Sequence, residues 1–182
     1  MGGATLVMAE LLAPGTMQGL ILIEPIMFPP PFQRVDEHPL AVGATRRRVS
    51  FGSAGEAIEA FSSKVAFAGW DERALQGYVD GGLVERGGRV WLACHPELEA
   101  DAYRSATAHG AYARLSEITC PVLILSGENS DTHPEAFSRH LATLVTDGSY
   151  RVVPGTGHFL PMERPDLVAG QIAEAFGRLP TD

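Results

Sequence analysis

The sequence predicts an α/β fold, a parallel sheet with flanking helices that carries an inserted, mostly helical segment. Three observations carry this. The run GLILIEPI is short, continuously apolar and stopped by Pro25, the pattern of a strand buried on both faces, CPVLILSG reads as a second buried strand, and YRVVPG as a third strand. Helical patterns flank these runs, and polar loops follow the second and third of them. Between Phe32 and about Ile118 the rhythm breaks into a block that is mainly helical and polar-faced.

Taken in order, Ala4 to Leu12 is apolar at helical spacing, and Pro14-Gly15 ends it. The first strand follows and is stopped by Pro25 and by the prolines at 29–31. In the insertion, Ser53 to Glu56 reads as a capping box opening a helix to about Ala66. Asp71 is a second N-cap, for a helix closed by Gly81-Gly82. Gly87-Gly88 marks a hairpin turn. A helix with Pro96 in its first turn is expected to run to Gly110. The α/β rhythm resumes with a strand over Cys120–Ser126 and a helix over Pro134–Val145. The YRVVPG strand and an amphipathic helix from Pro165 to Leu179 close the chain. Residues 1–31 and 116–182 are therefore assigned to the sheet-bearing core and residues 32–115 to the insertion, expected to act as a cap or lid.

Composition narrows the function. The chain has 182 residues, 45% apolar and 20% charged, enough for a sizeable core. Its net charge of −8 argues against nucleic acid, because phosphate binding needs a basic face. The one basic cluster, Arg46-Arg47-Arg48, fits a solvated loop or partners for nearby carboxylates. No apolar run has the length of a membrane span, and no signal-peptide layout opens the chain, so a cytoplasmic location is expected. Cys94 and Cys120 form no CxxC pair, and reduced, partly buried thiols are expected. The histidines show no metal-ligand spacing, so neither metal nor cofactor is expected.

Polar residues gather in the loops past the carboxyl ends of the strands, where open α/β sheets bind ligands. Two such loops stand out: SGENSD, ending in Asp131, and PGTGHFLPMERP, holding His158. A carboxylate on one loop can accept the Nδ1–H of an imidazole on the next, fixing its tautomer and stabilising the imidazolium. Singly, each residue also has a structural reading: Asp131 as a turn or N-cap residue, His158 as a helix-entry residue bonded to the backbone. Glu24, at the end of the strand LILIE, competes for the acid role, but Asp131 is preferred. Phe28 and Phe159 are candidate pocket residues.

The run CPVLILSGENSD…RVVPGTGHFLPMERPD resembles the end of an α/β-hydrolase, from the acid-bearing strand through the catalytic-histidine loop to the last helix. Met1-Gly2-Gly3 resembles the part of that family's nucleophile elbow, G-x-S-M-G-G, that follows the serine. The resemblance covers nearly the whole chain but only the back portion of the fold. It implies that Asp131 is the triad acid and His158 the base. It also places Met1 where the family has one oxyanion-hole N–H, here a charged amine, with the nucleophile upstream of Met1. Some relatives, haloalkane dehalogenases among them, place the acid where Glu24 stands. Ser126, Ser130, Cys94 and Cys120 are possible replacement nucleophiles, but none lies on a strand-to-helix elbow.

The expected function is a serine hydrolase of esterase or lactonase type acting on a small carbonyl substrate, inactive as this chain alone. An aspartate-nucleophile dehalogenase or epoxide hydrolase is the first alternative, and a non-catalytic binding protein the second. The first strand, lacking neighbours on one side, is expected to favour self-association.

Overall fold

The computed structural model describes residues 1–177. The chain divides into two compact units, residues 1–33 with 107–182 and residues 34–106. The expected boundary at 115 moves to 106, because the 3-10 turn Ala111–Glu117 belongs to the core unit. Its Ala111 and Leu115 pack with Val7 and Leu11 of the first helix, a contact that nothing local in the sequence announces.

In the core unit, helix α1 (Gly2–Leu12) leads into strand β1 (Leu20–Ile23). Glu10 of α1, only 2% exposed, turns back to accept the N–H groups of Gly15 and Met17 at 2.6 and 3.0 Å. It thereby satisfies donors that the chain reversal at Pro14-Gly15 would otherwise strand.

The insertion forms the second unit. Helix α2 (Pro39–Thr45) and helix α5 (Pro96–Ser105) are both entered by a His-Pro pair. The Nδ1 atoms of His38 and His95 cap them by accepting the N–H two residues on. Strands β2 (Ser50–Phe51), β3 (Leu83–Arg86) and β4 (Arg89–Leu92) form an antiparallel sheet in the order β2-β4-β3. Gly87 and Gly88 make the hairpin turn with φ of +60° and +70°. Helix α3 (Ala54–Ser62) and helix α4 (Glu72–Gly82) bury Phe61 and Val79 against Phe51. Helix α2 and strand β2 have no sequence signal. Helix α5 ends at Ser105, five residues before the expected Gly110.

Both expected N-caps form. Ser53 Oγ accepts the Glu56 N–H at 3.1 Å, and Asp71 accepts the Arg73 N–H at 2.8 Å. The Glu56 carboxylate closes on the N–H of Gly52 rather than of Ser53, one residue beyond the usual capping box. Ser53→Ala is expected to destabilise this unit by about 1 kcal/mol, read as a lower midpoint in thermal unfolding.

Back in the core unit, strand β5 (Val122–Gly127), helix α6 (Glu135–Thr143), strand β6 (Gly148–Val153), helix α7 (Leu160–Glu163) and helix α8 (Pro165–Phe176) complete the fold. The tail of the expected last helix, from 178 on, lies outside the described residues. The sheet is parallel, in the order β1-β5-β6, with Leu20 beside Val122 and Val122 beside Gly148. Every residue of β5 is buried, as its unbroken apolar run requires of a central strand. Leu22, Val122 and Ile124 face α1 and α6 on one side of the sheet. Leu123, Leu125 and Val153 pack with Leu160 and Val168 on the other. Each such side chain contributes roughly 1.5–3 kcal/mol by leaving water. Among the described residues no helix is long and apolar enough to cross a membrane.

Candidate active site

The site is assembled at the carboxyl ends of β1, β5 and β6. Strand β1 stops at Ile23, and Glu24 takes φ of +41°, a left-handed value rare for a residue with a side chain. Its N–H still donates to Leu125 O at 3.0 Å, so the ladder holds while the side chain swings toward the end of β5. There Oε1 accepts the Gly127 N–H at 2.9 Å. Oε2 accepts the hydroxyls of Ser130 and Thr132, each at 2.9 Å, and lies 2.5 Å from His158 Nδ1. The Glu24 side chain is 2% exposed.

The loop carrying His158 is pinned from several sides. Asn129 N–H donates to Thr156 O, and the carboxylates of Glu128 and Glu163 accept the N–H groups of Gly155 and Gly157. Gly127 passes so close to this loop that a Cβ there would lie 2.2 Å from Gly157 O. The result is an imidazole with Nδ1 on a buried carboxylate and 40% of its side chain open to solvent. Among the described residues no hydrogen bond occupies its Nε2.

Electrostatics match this geometry. Burial pushes the Glu24 carboxyl up, but contacts from His133, His158, Gly127 and Ser130 outweigh it and hold the group well below the usual carboxylate range. The hydrogen bond from Glu24 raises the pKa of His158 against the opposing effect of burial. A permanently ionised acceptor at Nδ1 is what an imidazole needs to take a proton at Nε2.

The preferred sequence assignment of the acid gives way here. Asp131 is exposed and makes no hydrogen bond to His158, which it affects only through its charge. In this loop Ser130 and His133 are buried and the exposed Thr132 turns its hydroxyl onto Glu24, whereas Asp131 is exposed and does not reach the pair. Met1 is the N-cap of α1, and its terminal amine is close enough to oppose the charging of His158. Burial lowers the pKa of that amine. Of the replacement nucleophiles, Ser126 and Cys120 are buried, Ser130 is committed to Glu24, and Cys94 is exposed in the insertion. Phe159 lies against the His158 ring, at 5.0 Å between centroids. Phe28 instead stacks on Phe137 and leans on His133.

Sequence reasoning passed over Thr132 and His133. Thr132 Oγ1 is 2.9 Å from His158 Nδ1 and 3.1 Å from His133 Nδ1. His133 is 1% exposed, and its Nε2 donates to Pro25 O at 2.9 Å. The only hint was their place in the loop past a strand end.

A family model described as "Alpha/beta hydrolase family" matches residues 1–171. The chain belongs to the alpha/beta hydrolase family. Solved members share its fold. The peroxisomal alpha-beta-hydrolase of Saccharomyces cerevisiae superposes with a TM-score of 0.82 at 19% identity, over 99% of this chain and 52% of that one. An E-2-(acetamidomethylene)succinate hydrolase gives 0.78 at 19% identity, over 97% and 63%. An esterase from Mycobacterium tuberculosis gives 0.67 at 14% identity, over 96% and 57%. This alpha/beta-hydrolase chain thus spans roughly half to two thirds of the length of those three structures.

Proposed function

We propose that this chain carries the acid–base half of a hydrolase acting on a small ester-like carbonyl substrate, with His158 as base and Glu24 as the acid that orients and charges it. The observation behind this is the 2.5 Å contact between Glu24 Oε2 and His158 Nδ1, with no hydrogen bond at Nε2 among the described residues. In this reading a nucleophile belonging to the part of the fold not spanned here gives its proton to Nε2 and attacks the carbonyl carbon. His158 then returns the proton to the leaving oxygen, while Glu24 stays ionised. Asp131 adds a negative charge that favours the charged form of His158.

The chain by itself is expected to hydrolyse p-nitrophenyl acetate no faster than its His158→Ala variant. Extending it at the amino end with a Gly-x-Ser elbow is expected to raise turnover in a way that Glu24→Gln abolishes. Turnover in the extended form that is indifferent to both Glu24 and His158 would sink this reading.

One observation favours a second reading. A carboxylate at the end of β1 is the placement that haloalkane dehalogenases use, with an aspartate nucleophile. An Asp elbow in the same extended chain, assayed for halide release from a bromoalkane, separates the two.

A further inference from the structure

We propose that Glu24, His133 and His158 form a binding site for one divalent transition-metal ion of the zinc class, and that its occupancy replaces the hydrogen bond between Glu24 and His158. This goes beyond the hydrolase reading and does not depend on it. Two observations support it.

The first is the ligand set. Glu24 Oε2, His133 Nδ1 and His158 Nδ1 all lie within 4.8 Å of one another. Two imidazole nitrogens and a carboxylate oxygen are the donors zinc and copper take. No spacing in the sequence could have shown this, because the three come from three different strand-end loops.

The second is the orientation of His133. The Pro25 carbonyl can only accept, so Nε2 carries a proton, and the other ring nitrogen, Nδ1, faces Glu24 Oε2, 3.5 Å away. A ring N–H held by a backbone carbonyl is the arrangement that orients metal-ligating histidines. The acid–base chemistry proposed above makes no use of this buried imidazole.

The fit needs one movement. Zinc bound tetrahedrally at its usual bond lengths sets ligand atoms roughly 3.3 Å apart. The Glu24–His133 separation of 3.5 Å already suits this, whereas the Glu24–His158 contact of 2.5 Å must open. A rotation of the His158 side chain, 40% of which is in solvent, opens this contact without moving its pinned backbone. The ion takes the place of the Nδ1 proton. A neutral His158 shifts its proton to Nε2, and a charged one releases a proton to solvent. The Thr132 hydroxyl or a water completes the shell.

The test is a calorimetric titration of the chelator-stripped full chain with Zn2+ alone, with Co2+ absorption reporting the ligand set. One site is expected, with affinity at least tenfold weaker in His158→Ala and in His133→Gln, and loss in both of the Co2+ bands of the unmodified chain. His158 is exposed, so His158→Ala keeps its fold, and circular dichroism checks His133→Gln. Absence of a binding heat up to about 1 mM Zn2+ would overturn the proposal. So would an affinity unchanged in His158→Ala. No substrate enters the experiment, so neither result bears on the hydrolase reading.

Discussion

Glu24→Leu is expected to cost the core unit roughly 2–6 kcal/mol, about 1–3 kcal/mol for each of two buried donors left without an acceptor. The reason lies in what the carboxylate leaves behind. The N–H of Gly127 and the hydroxyl of Ser130, both buried, would lose their acceptor in a place water does not reach. Leucine also inherits the φ of +41°, which offers an apolar side chain no local hydrogen bond in return. Glu24→Gln should cost less, because the amide oxygen still accepts and the two hydroxyls can rotate. Denaturant midpoints of the three proteins, compared at one pH, check this order.

The same carboxylate sets a pH signature. Glu24 is held below its ordinary value of 4.5, so its contribution is present above that pH and is lost as pH falls toward its folded pKa. The pKa of His158 is raised above 6.5, so its contribution is complete below 6.5 and is lost as pH rises through its folded pKa. The pair therefore stabilises most between about pH 4.5 and 6.5. Stability measured against pH should show this plateau in the unmodified chain and lose its alkaline slope in His158→Ala. A slope surviving that substitution would place the titrating group elsewhere.

Gly127→Ala is expected to separate His158 from Glu24. A Cβ there meets Gly157 O at 2.2 Å and Thr156 O at 2.7 Å, backbone atoms that can yield only by moving the whole His158 loop. The cost should reach or exceed the top of the roughly 1–3 kcal/mol range for overpacked interiors. The informative readout is His158 itself. With Glu24 no longer in contact, its NMR titration should fall back toward 6.5. Gly148→Ala is the control. It is equally crowded, with a Cβ 2.1 Å from Ala142 O, but it lies at the amino end of β6, away from the histidine loop. It should lose stability and keep the raised His158 titration. Equal effects of both substitutions on His158 would show that general loosening is responsible.

Much of this molecule was legible residue by residue. Strand β1 and most of β5 are apolar runs bounded by Pro or Gly, as burial in a parallel sheet requires, whereas β6, at the edge, keeps Ser149 and Arg151. The caps at Ser53 and Asp71 and the turn at Gly87-Gly88 depend on atoms two or three positions apart, so local sequence determines them. His158 was legible as a candidate because it is flanked by small residues in a loop past a strand end, beside a second such loop that carries a carboxylate.

The partner of that imidazole was a different matter. Glu24 and Asp131 both stand past strand ends, and the SGENSD loop made Asp131 the natural candidate. The choice depends on a contact between residues 134 positions apart. Parallel pairing of Ile23 with Leu125 brings Glu24 level with the end of β5, and an unusual φ then turns its carboxylate inward, while the loop turns Asp131 out. His133 and Thr132 join the site for the same reason. Local sequence governs which segments become strands and loops; the direction in which a loop side chain points is decided by packing between elements that meet only in the folded chain.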